Sequence, residues 1–216
     1  MFRRHDLLIV DPEMWPSVLA RLPAHDEMDM LPEWAKLGRP VIVRRRFPGE
    51  SEEDLPVGVQ LPRSAGQRRV ALRLPRDAVI SRLERPDIAA AIPDAPAAWH
   101  PTLTALLAVP ALAEPARVFG SLLWQCVTGL PYLREQSDLD LTFPCAGDPF
   151  PVATAIAAID LTAHPRIDGE LLLADGSACH WREVADEGVR EVLLKTDHGV
   201  ELRPRSALTA CARAPA

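Results

Sequence analysis

Two aspartates stand two residues apart in the run Ser137-Asp138-Leu139-Asp140-Leu141-Thr142-Phe143. Polar and apolar residues alternate there, so the run reads as a strand. Asp138, Asp140 and Thr142 then share one face, and Leu139, Leu141 and Phe143 share the other. The two carboxylates stand roughly 7 Å apart at Cα and can converge on one divalent cation or on a pair. Upstream, Arg117-Val118-Phe119 reads as a short strand that ends at Gly120-Ser121 and turns into a helix. A Gly-Ser turn at a helix N-terminus offers free backbone N–H groups and a positive dipole end, which suit phosphate oxygens. Together the two features fit chemistry on a triphosphate held by Mg²⁺. Singly, each has a plainer reading: an Asp-x-Asp as a solvated strand face, a Gly-Ser as a turn with an N-cap.

Transfer of a nucleotidyl group also needs the attacking hydroxyl deprotonated, and a third acid from a neighbouring strand completes such a site by activating that hydroxyl or by ligating a second metal. Asp168 and Glu170, again two apart, are the candidates in Pro165-Arg166-Ile167-Asp168-Gly169-Glu170-Leu171. Asp168 is preferred because it lies nearer the strand start, beside Arg166; exposed acids of a hairpin are the alternative. A second candidate region is the basic loop with Arg63, Arg68 and Arg69 around the flexible Gly66. It reads either as a phosphate clamp or as a solvated arginine-rich turn. His5, His100, His180 and His198 show no pairing at metal spacing and read as structural or solvated. No Gly-x-Ser-x-Gly, Walker-type loop or GxGxxG occurs.

The elements that must position these groups follow from periodicity and turn chemistry. Leu7-Val10 reads as a strand or a helix lead-in, and residues 12–22 as a helix after Asp11-Pro12, with Trp15 and Leu19 on one face. Residues 33–37 read as a short helix ending at Gly38. Residues 40–47 and 70–74 read as strands, with an acidic exposed loop at 48–54 and the run 57–61 leading to the basic loop. A short helix is expected at 102–109 and another at 152–162, the latter with Val152, Ile156, Ile159 and Ala163 on one face. Residues 165–173 form a strand closed by the turn Ala174-Asp175-Gly176-Ser177. A helix start is expected at 181–184, and strands at 191–196 and 200–203 about a turn at Asp197-His198-Gly199. The tail from Ser206 is expected to fray.

Bulk properties bound the class. The 216 residues are 48% hydrophobic and 25% charged, which is usual for a globular protein. A net charge of −6 argues against a general nucleic-acid binder. Cys126, Cys145, Cys179 and Cys211 are too scattered for a zinc site or a disulfide framework. The N-terminus shows no apolar leader and no run reaches the ~20 apolar residues that cross a bilayer, so a cytoplasmic protein is expected.

The order strand, Gly-Ser, helix, Asp-x-Asp strand resembles the signature of the polymerase-beta-like nucleotidyltransferase superfamily. The gap between Ser121 and Asp138 is longer than is common there, and Gly129-Leu133 reads as the inserted loop. A closer resemblance, covering nearly the whole chain, is to the malonate decarboxylase holo-acyl-carrier-protein synthase family, also called phosphoribosyl-dephospho-CoA transferase. It is carried by residues 117–125, Thr128-Gly129-Leu130-Pro131-Tyr132-Leu133, 137–141, 165–171, Trp181-Arg182-Glu183 and Val192-Leu193-Leu194-Lys195-Thr196. Arg4-His5-Asp6-Leu7 and Gly66-Gln67-Arg68-Arg69-Val70-Ala71-Leu72 add to it, although Gln67 stands where relatives often carry lysine.

The resemblance implies an α/β chain of α+β type, a mixed-sheet nucleotidyltransferase core (residues 93–216) with a smaller N-terminal α/β domain on the donor-binding side (residues 1–92). It implies transfer of the phosphoribosyl-dephospho-CoA group from 2′-(5″-triphosphoribosyl)-3′-dephospho-CoA to a serine of the malonate decarboxylase acyl-carrier subunit, with release of pyrophosphate. Mg²⁺ is the implied cofactor, on Asp138 and Asp140. Gly120 and Ser121 would meet the departing phosphates, Asp168 or Glu170 would activate the serine, and Arg63, Arg68, Arg69 and Lys195 would bind substrate. An adenylyltransferase, or a nucleotide-binding module without catalysis, remains open as another class.

Overall fold

The computed structural model describes residues 2–22, 29–112, 114–196 and 199–208. The fold is α+β, with two sheets, one antiparallel and one mixed. The chain separates into two units, Met1–Arg85 with Trp124–Tyr132, and Pro86–Leu123 with Leu133–Ala216. Residues 86–92, which the sequence reading puts with the first half, group with the second. There Asp87 bridges to Arg117, and its side chain accepts the Ala90 N–H to cap a short helix, α2 (Ile88–Ala91).

The first unit is an antiparallel sheet of β1 (Leu7–Val10), β2 (Val41–Val43), β3 (Leu55–Gln60), β4 (Arg69–Leu74) and β5 (Val79–Leu83), in the order β4-β3-β2-β1-β5. Alternation along β4 sends Val70, Leu72 and Leu74 inward and leaves Arg69, Ala71 and Arg73 exposed. Strand β5 has no period-two signal because its residues from Ile80 on are exposed on both faces. Helix α1 spans only Trp15–Leu19. Asp11 caps the turn before it, accepting the Glu13 N–H at 2.8 Å, and Pro12 and Pro16 cannot donate to a longer ladder. The expected helix at 33–37 is a single turn stopped by Gly38 at φ +65, too short to propagate.

Trp15 and Trp34 are buried with both indole N–H groups satisfied, by the Leu31 carbonyl at 2.6 Å and the Pro40 carbonyl at 2.9 Å. Trp124 and Tyr132 enter the same core from late in the chain. Trp124 meets Trp34 edge-on at 6.1 Å and lies 6.3 Å from Tyr132. The Tyr132 hydroxyl donates to the Gln60 carbonyl at 2.8 Å, and burial pushes its pKa up to about 12.

The second unit holds α3 (His100–Leu107), β6 (Arg117–Val118), the first turn of α4 (Gly120–Thr128), β7 (Leu139–Cys145), α5 (Pro149–Asp160), β8 (Ile167–Leu173), β9 (Ala178–His180), α6 (Trp181–Ala185), β10 (Glu191–Lys195) and β11 (Val200–Pro204). Its sheet runs β11-β10-β9-β8-β7-β6, with β7 and β8 parallel and the other pairs antiparallel. The parallel pair needs a crossover, and α5 provides it. That helix starts earlier than its apolar stripe, at Pro149, because Asp148 caps it by accepting the Phe150 N–H at 3.0 Å. The expected turn residues Asp197 and His198, and most of the tail, lie outside the described residues.

Gly169 shows how tightly β7 and β8 pack. A Cβ there would sit 2.7 Å from the Phe143 ring and 2.8 Å from the Leu141 carbonyl. Among the described residues, no helix is long and apolar enough to cross a membrane, and Cys126, Cys145 and Cys179 are in no disulfide. Burial raises the Cys179 thiol to about 12.

Candidate active site

The parallel register of β7 and β8 sets Asp140 opposite Asp168 and Thr142 opposite Glu170. Registered residues on paired strands share a face, so the acids that alternate along each strand meet in one row. Asp138 lies one residue before β7, and the ladder begins beside it with the Leu139 N–H donating to the Arg166 carbonyl at 2.9 Å. Asp138, Asp140 and Asp168 are each half-buried, whereas Glu170 is buried.

Gly120 is required by two independent facts. Its φ is +61, and a Cβ built on it would lie 1.8 Å from Asp140 Oδ2. The Asp140 carboxylate therefore rests against the N-terminal turn of α4, where Phe119 N–H also donates to the Asp140 carbonyl at 3.0 Å. Ser121 follows directly in that first turn. Asp140 and the N-terminal turn of α4 thus belong to one small region of the second unit.

The set Asp138 and Asp140 is all-oxygen and suits a hard cation such as Mg²⁺. Among the described residues, no group of three or more His, Cys, Asp or Glu gathers as metal ligands. A cation held here would take its remaining ligands from phosphates and water, the usual arrangement for Mg²⁺.

The two candidate third acids have different surroundings. Glu170 Oε1 accepts from Lys195 Nζ at 2.5 Å, so a buried carboxylate is matched by the lysine of β10. Asp168, with its side chain 37% exposed, accepts instead from His180 Nε2 at 2.7 Å. The sequence reading set His180 aside. The hairpin turns about Asp175, with the Leu173 N–H donating to the Ser177 carbonyl at 2.8 Å, and so places His180 opposite Glu170, whereas a two-residue Asp175-Gly176 turn would set it opposite Leu171 on the other face.

Behind the acids, a clamp fixes the start of β8. Asp160, at the end of α5, accepts the Ile167 N–H at 3.0 Å and Arg182 Nη1 at 2.7 Å, while Arg182 Nη2 donates to the Ile167 carbonyl at 2.9 Å. Both peptide groups of Ile167 are so tied down, one residue before Asp168. Burial alone would raise the Asp160 carboxyl, but the hydrogen bonds from Arg182 and Ile167 outweigh it and hold the group below the usual carboxylate range.

Arg63, Arg68 and Arg69 belong to the first unit, not to the unit that carries the acids. All three are exposed. Arg63 opens a 3₁₀ turn ended by Gly66 at φ +78, Gln67 follows at φ +51, and Arg69 starts β4.

Two family models match the chain. The phosphoribosyl-dephospho-CoA transferase MdcG N-terminal domain matches residues 3–86, and the C-terminal domain of the same name matches residues 84–206. A phosphoribosyl-dephospho-CoA transferase of Bradyrhizobium diazoefficiens is 41% identical over 209 residues, covering 94% of this chain and 90% of the relative. Proteins of the same name from Xanthomonas campestris pv. campestris and Xanthomonas axonopodis pv. citri are each 39% identical, covering 82% of this chain and 84% of theirs. No solved structure matches the chain.

Proposed function

We propose, from the premise that the chain belongs to the phosphoribosyl-dephospho-CoA transferase family, that it attaches this prosthetic group to the acyl-carrier subunit of malonate decarboxylase. The donor is 2′-(5″-triphosphoribosyl)-3′-dephospho-CoA and the acceptor a serine hydroxyl. The serine O–H bond breaks and its proton passes to an enzyme carboxylate. The serine oxygen bonds to the phosphorus next to the ribose, and the bond from that phosphorus to pyrophosphate breaks, leaving a phosphodiester. The observation that carries the reading is the meeting of Asp140 with the Gly120 turn on one side and with Asp168 on the other.

The residues take distinct parts. Asp138 and Asp140 would hold Mg²⁺, which neutralises triphosphate charge as it develops on the leaving group. Backbone N–H groups at Gly120 and Ser121 receive the departing phosphates. Asp168 takes the serine proton, in preference to Glu170, because Glu170 is buried and already matched by Lys195 whereas Asp168 is accessible. Lys195 has three ammonium donors, so those beyond the one on Glu170 serve phosphate oxygens. Arg63, Arg68 and Arg69 form a second anion site for the diphosphate on the pantetheine side of the donor. The order of these parts supports a place in the polymerase-beta-like nucleotidyltransferase superfamily.

Mass spectrometry of the apo carrier subunit after incubation with enzyme, donor and Mg²⁺ tests the reading. The expected result is one phosphoribosyl-dephospho-CoA increment on a serine, with pyrophosphate released. No increment, or faster transfer of AMP from ATP, would overturn it.

A further inference from the structure

His180 makes two hydrogen bonds that together determine where its proton sits. It caps α6, and its Nδ1 accepts the Arg182 N–H at 3.1 Å. Nδ1 therefore presents a lone pair. A neutral imidazole has one N–H, so that N–H is on Nε2, which faces Asp168 Oδ1 at 2.7 Å. The ring lies 6.1 Å from the Trp181 ring at 28°, and Trp181 is itself covered by the Arg182 guanidinium at 4.2 Å.

Capping alone does not explain the choice of residue. Asn, Asp or Ser would cap α6 as well or better. His180 stands opposite Glu170 in the β8–β9 ladder, so Asp168 is its diagonal neighbour. Such neighbours are about 7–8 Å apart and within reach of long or aromatic side chains only. The length of the imidazole is what the contact with Asp168 uses.

We propose that His180 is a positioning residue for Asp168: its Nε2–H holds Oδ1 and so aims Oδ2 at the proton of the acceptor hydroxyl. This rests on the reading of Asp168 as the acid that takes that proton. The cap serves the same end, because it denies Nδ1 the proton and leaves Nε2 the donor.

Two substitutions separate the cap from the donor. His180→Asn keeps an acceptor at the position of Nδ1 and loses the reach to Asp168. His180→Gln places an N–H near the position of Nε2 and weakens the cap. His180→Asn should melt like the native protein and lose about 10- to 100-fold in kcat, with the donor KM unchanged, as for partners that orient a working group. His180→Gln should recover most of kcat while its Tm falls by about 2–4 °C. In an Asp168→Asn background, His180→Asn should cost nothing further, because the group it orients no longer accepts a proton. Nitrogen-15 spectra of the histidines at alkaline pH should show the His180 proton on Nε2.

Native kcat in His180→Asn, with Asp168→Asn inactive, sinks the proposal alone. Near-native turnover by Asp168→Asn sinks the reading it rests on, and the proposal with it. A proton found on Nδ1, or kcat losses in both His180 variants that simply follow their loss of Tm, would also overturn it.

Discussion

Asp140 reaches its place only because residue 120 has no side chain. Gly120→Ala would put a methyl group 1.8 Å from Asp140 Oδ2 on a backbone at φ +61. The positive φ alone costs about 1–2 kcal/mol for an L-residue. The larger effect is expected on chemistry: the carboxylate must move, and transfer should fall by about 10²-fold or more, as when a metal-holding group is misplaced. Asp138→Asn and Asp140→Asn should each cut transfer by on the order of 10²-fold or more, with little change in Tm, because both side chains are only half-buried. Single-turnover assays on the carrier subunit, run beside thermal melts, check all three. Normal rates in both Asp variants would remove the metal assignment.

At the scale of elements, the working strands depend on how β8 begins. The Asp160–Arg182 clamp ties both peptide groups of Ile167, next to Asp168, and Arg182 also supplies the N–H that His180 caps. Asp160→Asn weakens a charge-assisted pair and should cost about 1–2 kcal/mol at pH 7. The sign with pH follows from linkage. The folded Asp160 carboxyl lies below its unfolded value, so its stabilisation is complete above the unfolded carboxylate pKa, about 3.9, and is lost as pH falls through the folded one. Urea melts at a series of pH values should show native and Asp160→Asn proteins differing at neutral pH and converging in acid, below about pH 4. A constant difference across that range would show that the clamp acts through shape and not charge.

The whole molecule joins two units, and the chain crosses between them more than once. Trp124–Tyr132 comes from the second half of the sequence yet belongs to the core of the first unit. Residues 86–216 expressed alone should therefore expose Trp124 and Tyr132 and aggregate, and co-expression with residues 1–85 should restore a soluble pair. Good solubility of the isolated second half would contradict this. The donor proposed above is also large enough to need more than one anion site. Combined Arg68→Ala and Arg69→Ala should raise its KM strongly, since well-formed charge-assisted contacts are worth about 1.5–3 kcal/mol each. Slow use of ATP should be almost unchanged. Steady-state titrations with both donors decide the matter, and equal losses with each would assign the arginines to the fold or to a shared triphosphate site.

What the sequence alone determined was local. Alternation in β4, β7 and β8, the Gly120-Ser121 turn into α4 and the Asp175-Gly176 hairpin all arise from side-chain period and φ preference within a few residues. Those features place Asp140, Asp168 and Glu170 on strands and Asp138 just ahead of one, without reference to pairing. Helix ends were less legible, because proline spacing and the Asp11 turn shortened α1 against its apolar pattern. Only the tertiary structure decided which strands pair and in what register. That register set Asp140 against Asp168, gave Glu170 to Lys195, and brought His180 to Asp168. Packing of α4 and the loop after it sent Trp124 and Tyr132 into the core of the first unit. Strand pairing joins residues far apart in the chain, and a shift of one position would turn the strand side chains to the opposite face.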